Sequence, residues 1–157
     1  MFKNFLHEFL WIFRYIFLKF HFKIEKSDQN LFRIKDRFSE TIIYYPFEYL
    51  NRFTWTQFSF LLEAGGIKNH YKKKYLYSNF ELSKEWTLVD CGAYIGGLTI
   101  SQSAEVKYVY SIEPSPKNFL ALTKNIENLG LQNVTPINIG LGDRNETRLL
   151  HFSGTGQ

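Results

Sequence analysis

The sequence contains little that could form a covalent framework or a metal site. Its single cysteine, Cys91, excludes an intrachain disulfide and any cluster of cysteine ligands. The four histidines, at positions 7, 21, 70 and 151, lack the short spacings that metal ligands usually show. We therefore expect no metal site, and we expect a reducing compartment, the cytoplasm, as the location of the protein.

A long, uninterrupted apolar run is also missing. Residues 2–22 are mostly apolar, but charged side chains such as Lys3, Glu8, Arg14 and Lys19 break them up before about 18 apolar residues accumulate. No small-residue cleavage site of the A-x-A kind follows this segment. A membrane-spanning helix and a removable signal peptide are therefore not expected.

Residues 1–24 have instead the periodicity of a basic amphipathic helix. Lys3, His7 and Arg14 fall on one side of such a helix, and phenylalanine and isoleucine occupy the other side. Two interpretations fit this pattern best: peripheral binding to a membrane surface, and packing of the helix on the rest of the protein. An uncleaved signal anchor is a third, minor interpretation.

The net positive charge lies entirely in the first part of the chain. Residues 1–86 contain 14 basic and 9 acidic side chains, whereas residues 87–157 contain 5 and 6. A basic surface of this kind could meet an anionic lipid or a polyanion. The run Lys72 to Lys74 lies among tyrosines, which suits nucleic-acid stacking, but a solvated helix face is the favoured interpretation and nucleic acid is not expected as a partner.

Residues 25–86 are predicted to form an accessory α+β region. Residues 31–35 and 41–45 are rich in β-forming side chains and are separated by a polar stretch, which predicts a hairpin. Residues 56–64 have helical spacing and end at Gly65 and Gly66, where glycine allows a left-handed C-terminal cap.

A glycine-rich turn follows the apolar segment that begins at Thr87. The turn has the spacing D-x-G-x-x-x-G, with Asp90, Gly92 and Gly96, and helical residues resume at 98–104. Glycine at 92 permits close approach of a ligand, and Gly96 lets the chain turn into the helix. The negative charge of Asp90 would repel a pyrophosphate but attract the cationic methionine end of S-adenosylmethionine. The charge therefore favours a methyl donor over a dinucleotide.

A second predicted strand, residues 108–112, ends in Glu113 and Pro114. Ligands of open α/β sheets bind outside the carboxyl ends of the strands, where an acidic side chain can accept hydrogen bonds from ribose hydroxyls. Glu113 lies 23 residues after Asp90, close to the interval of about 20 typical of ribose-binding acids. A solvated acidic residue in a turn is the structural alternative.

The remaining residues complete an alternating pattern of strands and helices. Ser115 and Pro116 predict the start of a helix that Gly130 ends, and residues 134–139 predict a third strand. Residues 147–152 predict one more strand. The fold class expected is α/β, with an open, mainly parallel sheet of Rossmann-like type preceded by the small α+β region.

Several of these segments together resemble the FkbM-type methyltransferases, which have the class I S-adenosylmethionine-dependent fold. The segments are Val-Asp-Cys-Gly-Ala-Tyr-Ile-Gly ending at Gly96, Ile-Glu-Pro-Ser-Pro-Lys-Asn-Phe ending at Phe119, Leu-Thr-Lys-Asn ending at Asn125, and Gly-Leu-Gly-Asp ending at Asp143. The resemblance covers residues 87–152. It implies S-adenosylmethionine as cofactor and methyl transfer to a hydroxyl of a sugar, glycan or natural product.

The resemblance also implies roles for individual residues. The methionine end of the cofactor would lie against the glycine turn, and the ribose would bind Glu113. The adenine edge would lie at the turn predicted for Gly140 to Asp143. The cofactor-binding residues expected are Asp90, Gly92, Ala93, Tyr94, Gly96, Glu113, Pro114, Gly140 and Leu141. No catalytic base is assigned by the resemblance.

This sequence departs from the family at its end. The family continues with an acidic Ile-Asp-x-Glu-Gly strand and further strands, which residues 1–157 do not contain. We therefore interpret residues 87–157 as the first half of the methyltransferase domain, and expect the chain alone to be inactive. The alternatives are an RNA methyltransferase, and a non-catalytic nucleoside-binding or membrane-associated remnant.

Overall fold

The computed structural model describes residues 22–36, 40–46 and 81–151. Their regular elements form two three-stranded sheets, one antiparallel and one parallel. The strands are β1 Phe22–Lys26, β2 Leu31–Asp36, β3 Ile42–Pro46, β4 Thr87–Cys91, β5 Tyr108–Ile112 and β6 Val134–Ile137. The helices are α1 Gly97–Gln102, which continues into one 3-10 turn at Ser103–Glu105, and α2 Pro116–Asn128.

The first sheet has the strand order β1-β2-β3 with antiparallel neighbours. The β2-β3 pair confirms the predicted hairpin, but β1 was not expected. Phe22, Lys23 and Ile24 belong to β1, so the prediction of a helix through residue 24 is wrong at that end. The edge of β2 offers backbone partners that outweigh the helical periodicity at these residues. The rest of that predicted helix, the helix at 56–64 and the Lys72 run lie outside the described residues.

The second sheet has the order β4-β5-β6 with parallel neighbours, and the open α/β fold class is thereby confirmed. Helix α1 connects β4 to β5 and helix α2 connects β5 to β6. Two successive right-handed crossovers in one direction place both helices on the same face of the sheet. Val89 and Tyr110, on the opposite face, are exposed.

Helix α2 begins and ends as its sequence predicts. Ser115 has extended backbone geometry at the N-cap and Pro116 occupies the first turn. At the other end Gly130 is left-handed, with φ of 64°. The amide of Gly130 donates to the Glu127 carbonyl and that of Leu131 to the Ile126 carbonyl, which is a Schellman ending.

The last predicted strand is not observed. Residues 147–151 form no regular structure, and Leu149 is 80% exposed. A strand requires a neighbour with free backbone groups, and the outer edge of β6 is unsuited because Pro136 has no amide hydrogen to donate. The prediction for residues 147–151 is therefore wrong, and Phe152 lies outside the described residues. The third strand also ends early, at Ile137 rather than residue 139.

The two sheets share helix α2. Buried side chains of the antiparallel sheet and of the α/β part form one apolar cluster: Phe22, Leu31, Ile34, Ile43, Tyr45, Ile95 and Ala121. A second cluster lies between α2 and the parallel sheet, and includes Val109, Leu122, Ile126 and Val134. Helix α2 is thus buried on both sides, and the antiparallel sheet packs against it beside the glycine turn.

None of the helices within the described parts of the chain has the length and apolar character needed to cross a bilayer.

Candidate functional site

The glycine turn after β4 lies against the end of β5. The amides of Gly92 and Ala93 both donate to the Ile112 carbonyl at 2.9 Å. The turn is left-handed at three positions, with φ of 84° at Gly92, 54° at Tyr94 and 97° at Gly96. Two of these positions are glycine, for which such angles cost little. Tyr94, by contrast, adopts a left-handed conformation that is unfavourable for a residue with a side chain. The structure thus confirms a tight turn between β4 and α1.

Gly96 is required for a reason beyond its backbone angle. A Cβ atom at this position would lie 2.8 Å from Cδ1 of Leu122 on helix α2. At Gly92, by contrast, an added Cβ would meet no atom within 4 Å. Gly96 therefore permits close packing of the turn on α2, and Gly92 faces open space on the side from which a ligand could approach.

Asp90, at the end of β4, is 5% exposed and bonds to the start of helix α1. Its Oδ2 accepts hydrogen bonds from the Thr99 amide at 3.1 Å and the Thr99 hydroxyl at 2.7 Å. The Thr99 hydroxyl also lies 2.6 Å from the Ser111 hydroxyl on β5. One oxygen of Asp90 therefore accepts from the amide of the third residue of α1, as an N-cap side chain would.

The pKa of the Asp90 carboxyl lies above its ordinary value. Burial raises it most, and the negative charge of Glu113 raises it further, while the hydrogen bonds from Thr99 act in the opposite direction. The two carboxylates thus interact electrostatically at the carboxyl ends of neighbouring strands. A positive charge placed beside them would be favoured.

Glu113, at the end of β5, is likewise 5% exposed and connects two segments. Its Oε2 accepts a hydrogen bond from the Tyr94 amide in the glycine turn at 2.8 Å. Its Oε1 accepts from the Ser115 amide at 2.9 Å and from Asn118 Nδ2 at 3.2 Å at the start of α2. Glu113 is therefore a buried carboxylate that joins the turn to the helix, and the solvated alternative does not describe it.

Within the part of the chain that the structure describes, two buried oxygen atoms on residues near Glu113 have no hydrogen-bond partner. They are Oγ of Ser115 and Oδ1 of Asn118, on side chains that are 3% and 5% exposed. Buried polar atoms usually have partners, so an unpartnered pair next to a carboxylate suggests a place for a ligand's donors. Both residues lie in the quoted Ser-Pro-Lys-Asn segment, but the sequence analysis assigned neither a role in ligand binding.

The segment that follows β6, residues 138–143, reaches the same edge of the sheet. The Asn138 amide group donates to the Glu113 carbonyl at 2.7 Å, and a Cβ at Gly140 would lie 3.8 Å from Cβ of Pro114. Leu141 is 61% exposed. The structure thus brings Gly140 beside Glu113 and Pro114, with Leu141 on the surface next to them.

These observations define an open α/β protein of Rossmann-like type whose polar site lies at the carboxyl ends of parallel strands. No protein-family model matches the sequence, and no curated protein matches it.

Solved structures that are similar to the chain include three from two organisms. TYW2 of M. jannaschii, in complex with AdoMet, is 21% identical, with a TM-score of 0.43 over 76% of this chain and 43% of that protein. The M. jannaschii tRNA m1G37 methyltransferase is 19% identical, with a TM-score of 0.38 over 75% of this chain and 30% of that protein. SMU.1697c of Streptococcus mutans, in complex with SAH, is 25% identical, with a TM-score of 0.37 over 38% of this chain and 34% of that protein.

The chain spans less than half the length of each of these proteins. The strand order and crossovers of this chain itself define its fold class.

Proposed function

We propose that this chain is part of an S-adenosylmethionine-dependent methyltransferase of FkbM type. The observation that carries the proposal is Glu113, a buried carboxylate at the end of β5 that accepts a hydrogen bond from the glycine turn. An acid in this place of an open α/β sheet suits recognition of ribose hydroxyls. The acceptor that we propose is a hydroxyl of a sugar, glycan or natural product.

The residues present fit a ribose. A carboxylate offers about four acceptor positions, of which the Tyr94, Ser115 and Asn118 groups take three. The unpartnered oxygens of Ser115 and Asn118 add further acceptors close by. A ligand with two neighbouring hydroxyl groups could donate hydrogen bonds to these buried oxygens, which would otherwise be desolvated without a partner among the described residues.

The electrostatics favour a cationic ligand over a dinucleotide. Burial is the main cause of the raised pKa of Asp90, and the negative charge of Glu113 adds to it, so the two carboxylates repel one another. A pyrophosphate would add negative charge to this pair, whereas a sulfonium would reduce their repulsion. When bound, S-adenosylmethionine supplies an activated methyl group, and the role of the turn is to orient it for in-line displacement.

A binding panel tests the proposal. Isothermal titration of the full 157-residue chain with S-adenosylmethionine, S-adenosylhomocysteine and NAD compares the candidate ligands directly. We expect weak but measurable heats for the two adenosyl compounds and none for NAD. Binding of NAD with no response to either adenosyl compound would contradict the proposal.

Measurement of methyl transfer distinguishes the proposal from the two alternatives, an RNA methyltransferase and a non-catalytic remnant. An RNA acceptor was suggested by the Lys72 run, which lies outside the described residues, so no described contact favours it. Labelled S-adenosylmethionine incubated with glycan and RNA panels distinguishes the acceptors, and binding without transfer by a longer form would favour the non-catalytic remnant. For the 157-residue chain alone we expect no transfer, because an acceptor must be held in line with the methyl group.

Contact with a membrane surface through residues 1–21 is a further part of the proposal, since residues 22–24 belong to β1. A peptide of these residues should gain helicity on anionic vesicles and less on neutral ones, because its basic side would meet the headgroups. Unchanged circular dichroism on both vesicle types would contradict membrane contact through this segment.

A further inference from the structure

The antiparallel sheet contacts the glycine turn through a pair of tyrosines. Tyr45 on β3 is 1% exposed, and its hydroxyl accepts a hydrogen bond from the Tyr94 hydroxyl at 2.9 Å. The two rings meet edge to face, with centroids 6.2 Å apart and planes at 84°. The hydrogen bond and the edge-to-face contact together fix the position of the Tyr94 ring relative to Tyr45.

Tyr94 is held at both of its ends. Its amide donates to Glu113 Oε2 at 2.8 Å, and its hydroxyl donates to Tyr45. Between these bonds its backbone has φ of 54°, a left-handed angle that a residue with a side chain adopts only at a cost. The two hydrogen bonds together offset that cost. The angle of the turn at Tyr94 therefore depends on an atom of the antiparallel sheet.

The next residue of the turn is fixed by the same sheet through helix α2. Asn125 Nδ2 donates to the Ile95 carbonyl at 2.9 Å and to the Tyr44 carbonyl at 3.1 Å. Asn125 Oδ1 accepts from the Tyr44 amide at 2.6 Å. Neighbouring residues on β3, Tyr44 and Tyr45, thus connect to neighbouring residues of the turn.

We propose that Tyr45 is a positioning residue for the glycine turn: through the Tyr94 hydroxyl it holds the turn in the conformation that a ligand of the Glu113 site meets. The sheet formed by β1, β2 and β3 is on this account part of the functional site. The effect of Tyr45 on ligand affinity rests on the proposed function, whereas its effect on the turn does not.

Hydrogen exchange at the Tyr94 amide tests the positioning role on the unligated chain. Tyr45→Phe should speed exchange at this amide about fivefold, the equivalent of losing one ordinary hydrogen bond. The amide of Val109, which donates to the Asn133 carbonyl within the parallel sheet, serves as the reference. Equal acceleration at both amides, or none at Tyr94, would overturn the proposal, since either result assigns Tyr45 to general stability or to no role.

A matched control is available on the parallel sheet. The Tyr108 hydroxyl lies 2.7 Å from the Thr135 hydroxyl, so Tyr108→Phe also removes one member of a hydroxyl pair. This variant should leave exchange at the Tyr94 amide unchanged. Acceleration there by Tyr108→Phe as large as that by Tyr45→Phe would contradict a specific connection.

Affinity for S-adenosylhomocysteine provides the second readout. Tyr45→Phe and Tyr94→Phe should each weaken binding about fivefold, and the double variant should be no weaker than the single ones, because both remove the same hydrogen bond. Additive losses would overturn the connection between the two residues. If the wild-type chain binds no adenosyl compound, the proposed function fails, and the exchange experiment still decides the positioning role.

Discussion

The antiparallel and parallel sheets bury different kinds of side chain. The buried residues of the first are apolar apart from the Tyr45 hydroxyl, whereas the second buries Asp90 and Ser111, with Glu113 directly after β5. Buried carboxylates carry a desolvation cost, so their placement at two neighbouring strand ends is more informative than any apolar contact. On the function that we propose, the parallel sheet carries the chemistry and the antiparallel sheet supports it.

We expect the largest loss of stability from a substitution at the junction between the two sheets. Asn125 on α2 is fully buried, and its side chain makes hydrogen bonds with the amide and the carbonyl of Tyr44. These two backbone groups lie on the edge of β3 that does not pair with β2. Asn125→Ala would leave three backbone groups without their partners, and should lower the free energy of unfolding by roughly 3 to 4 kcal/mol. Urea titration measures this loss.

The control for this variant is one turn away on the same helix. Asn128 is exposed and donates only to the Ile42 carbonyl among the described residues, at 3.0 Å. Asn128→Ala should cost less than about 1 kcal/mol. Equal losses for the two variants would show that the junction is not maintained by Asn125.

Packing of the glycine turn on α2 should give the next largest effect. Gly96→Ala combines an unfavourable φ of 97° with a Cβ that would lie 2.8 Å from Leu122 Cδ1, and we expect a loss of roughly 2 to 3 kcal/mol. Gly130→Ala, where the added Cβ meets open space, should cost only about 1 kcal/mol. Thermal unfolding of both variants compares them, and a Gly130 cost as large as that of Gly96 would contradict the packing argument.

A substitution at Gly92 distinguishes an effect on ligand binding from an effect on stability. Gly92→Ala should lower stability by about 1 kcal/mol, like Gly130→Ala, because both positions are left-handed and open. A methyl group on the open side of the turn should nevertheless weaken S-adenosylhomocysteine binding about tenfold, and Gly130→Ala should not. Titration calorimetry on the two variants measures the difference, and equal affinities would place the ligand elsewhere.

The smallest expected effect is a change in pH dependence at Asp90. Its pKa in the folded state is raised above 3.8, mainly by burial, so the stability it contributes is present below about pH 3.8 and is lost as pH rises through the folded value. An asparagine at this position does not titrate, so the Asp90→Asn variant does not lose this stability as pH rises. The stability of this variant relative to wild type should therefore increase as pH rises through that window.

Urea titrations from about pH 4 to about pH 7 measure the trend. Ser111→Ala removes a hydroxyl from the same buried chain of hydrogen bonds without removing a titratable group, so its pH profile should run parallel to that of wild type. A profile for Asp90→Asn that also runs parallel would show that Asp90 does not titrate differently in the folded state.

Local signals predicted most of the α/β part. Glycine, proline and apolar spacing located the turn after β4, both ends of α2 and the end of β5, because each of these features is determined within a few neighbouring residues. Residues 147–151 were mispredicted as a strand because β structure also requires a partner edge, which the β-forming side chains of a segment do not reveal. The first strand was missed for the same reason.

The partners of the site residues depend on distant parts of the chain. Asp90 and Glu113 were found by position, but the Tyr45 hydroxyl lies 49 residues from Tyr94, and no local pattern connects them. Asn125 did leave a signal, since it is a polar residue within the apolar stripe of α2 that contains Leu122 and Ile126. A polar residue on such a stripe suggests a buried hydrogen-bonding partner from another segment.

The central claim is that Glu113 binds the hydroxyls of an adenosyl ligand, and calorimetry of Glu113→Gln with S-adenosylhomocysteine tests it most directly. Glu127→Gln, on the exposed side of α2, is the control, and circular dichroism establishes that both variants are folded. Since a hydrogen bond to a charged group contributes about 1.5 to 3 kcal/mol, we predict at least tenfold weaker binding for Glu113→Gln and unchanged binding for Glu127→Gln. Unaltered affinity of a folded Glu113→Gln variant would contradict the account and leave Glu113 only its role in joining the turn to α2.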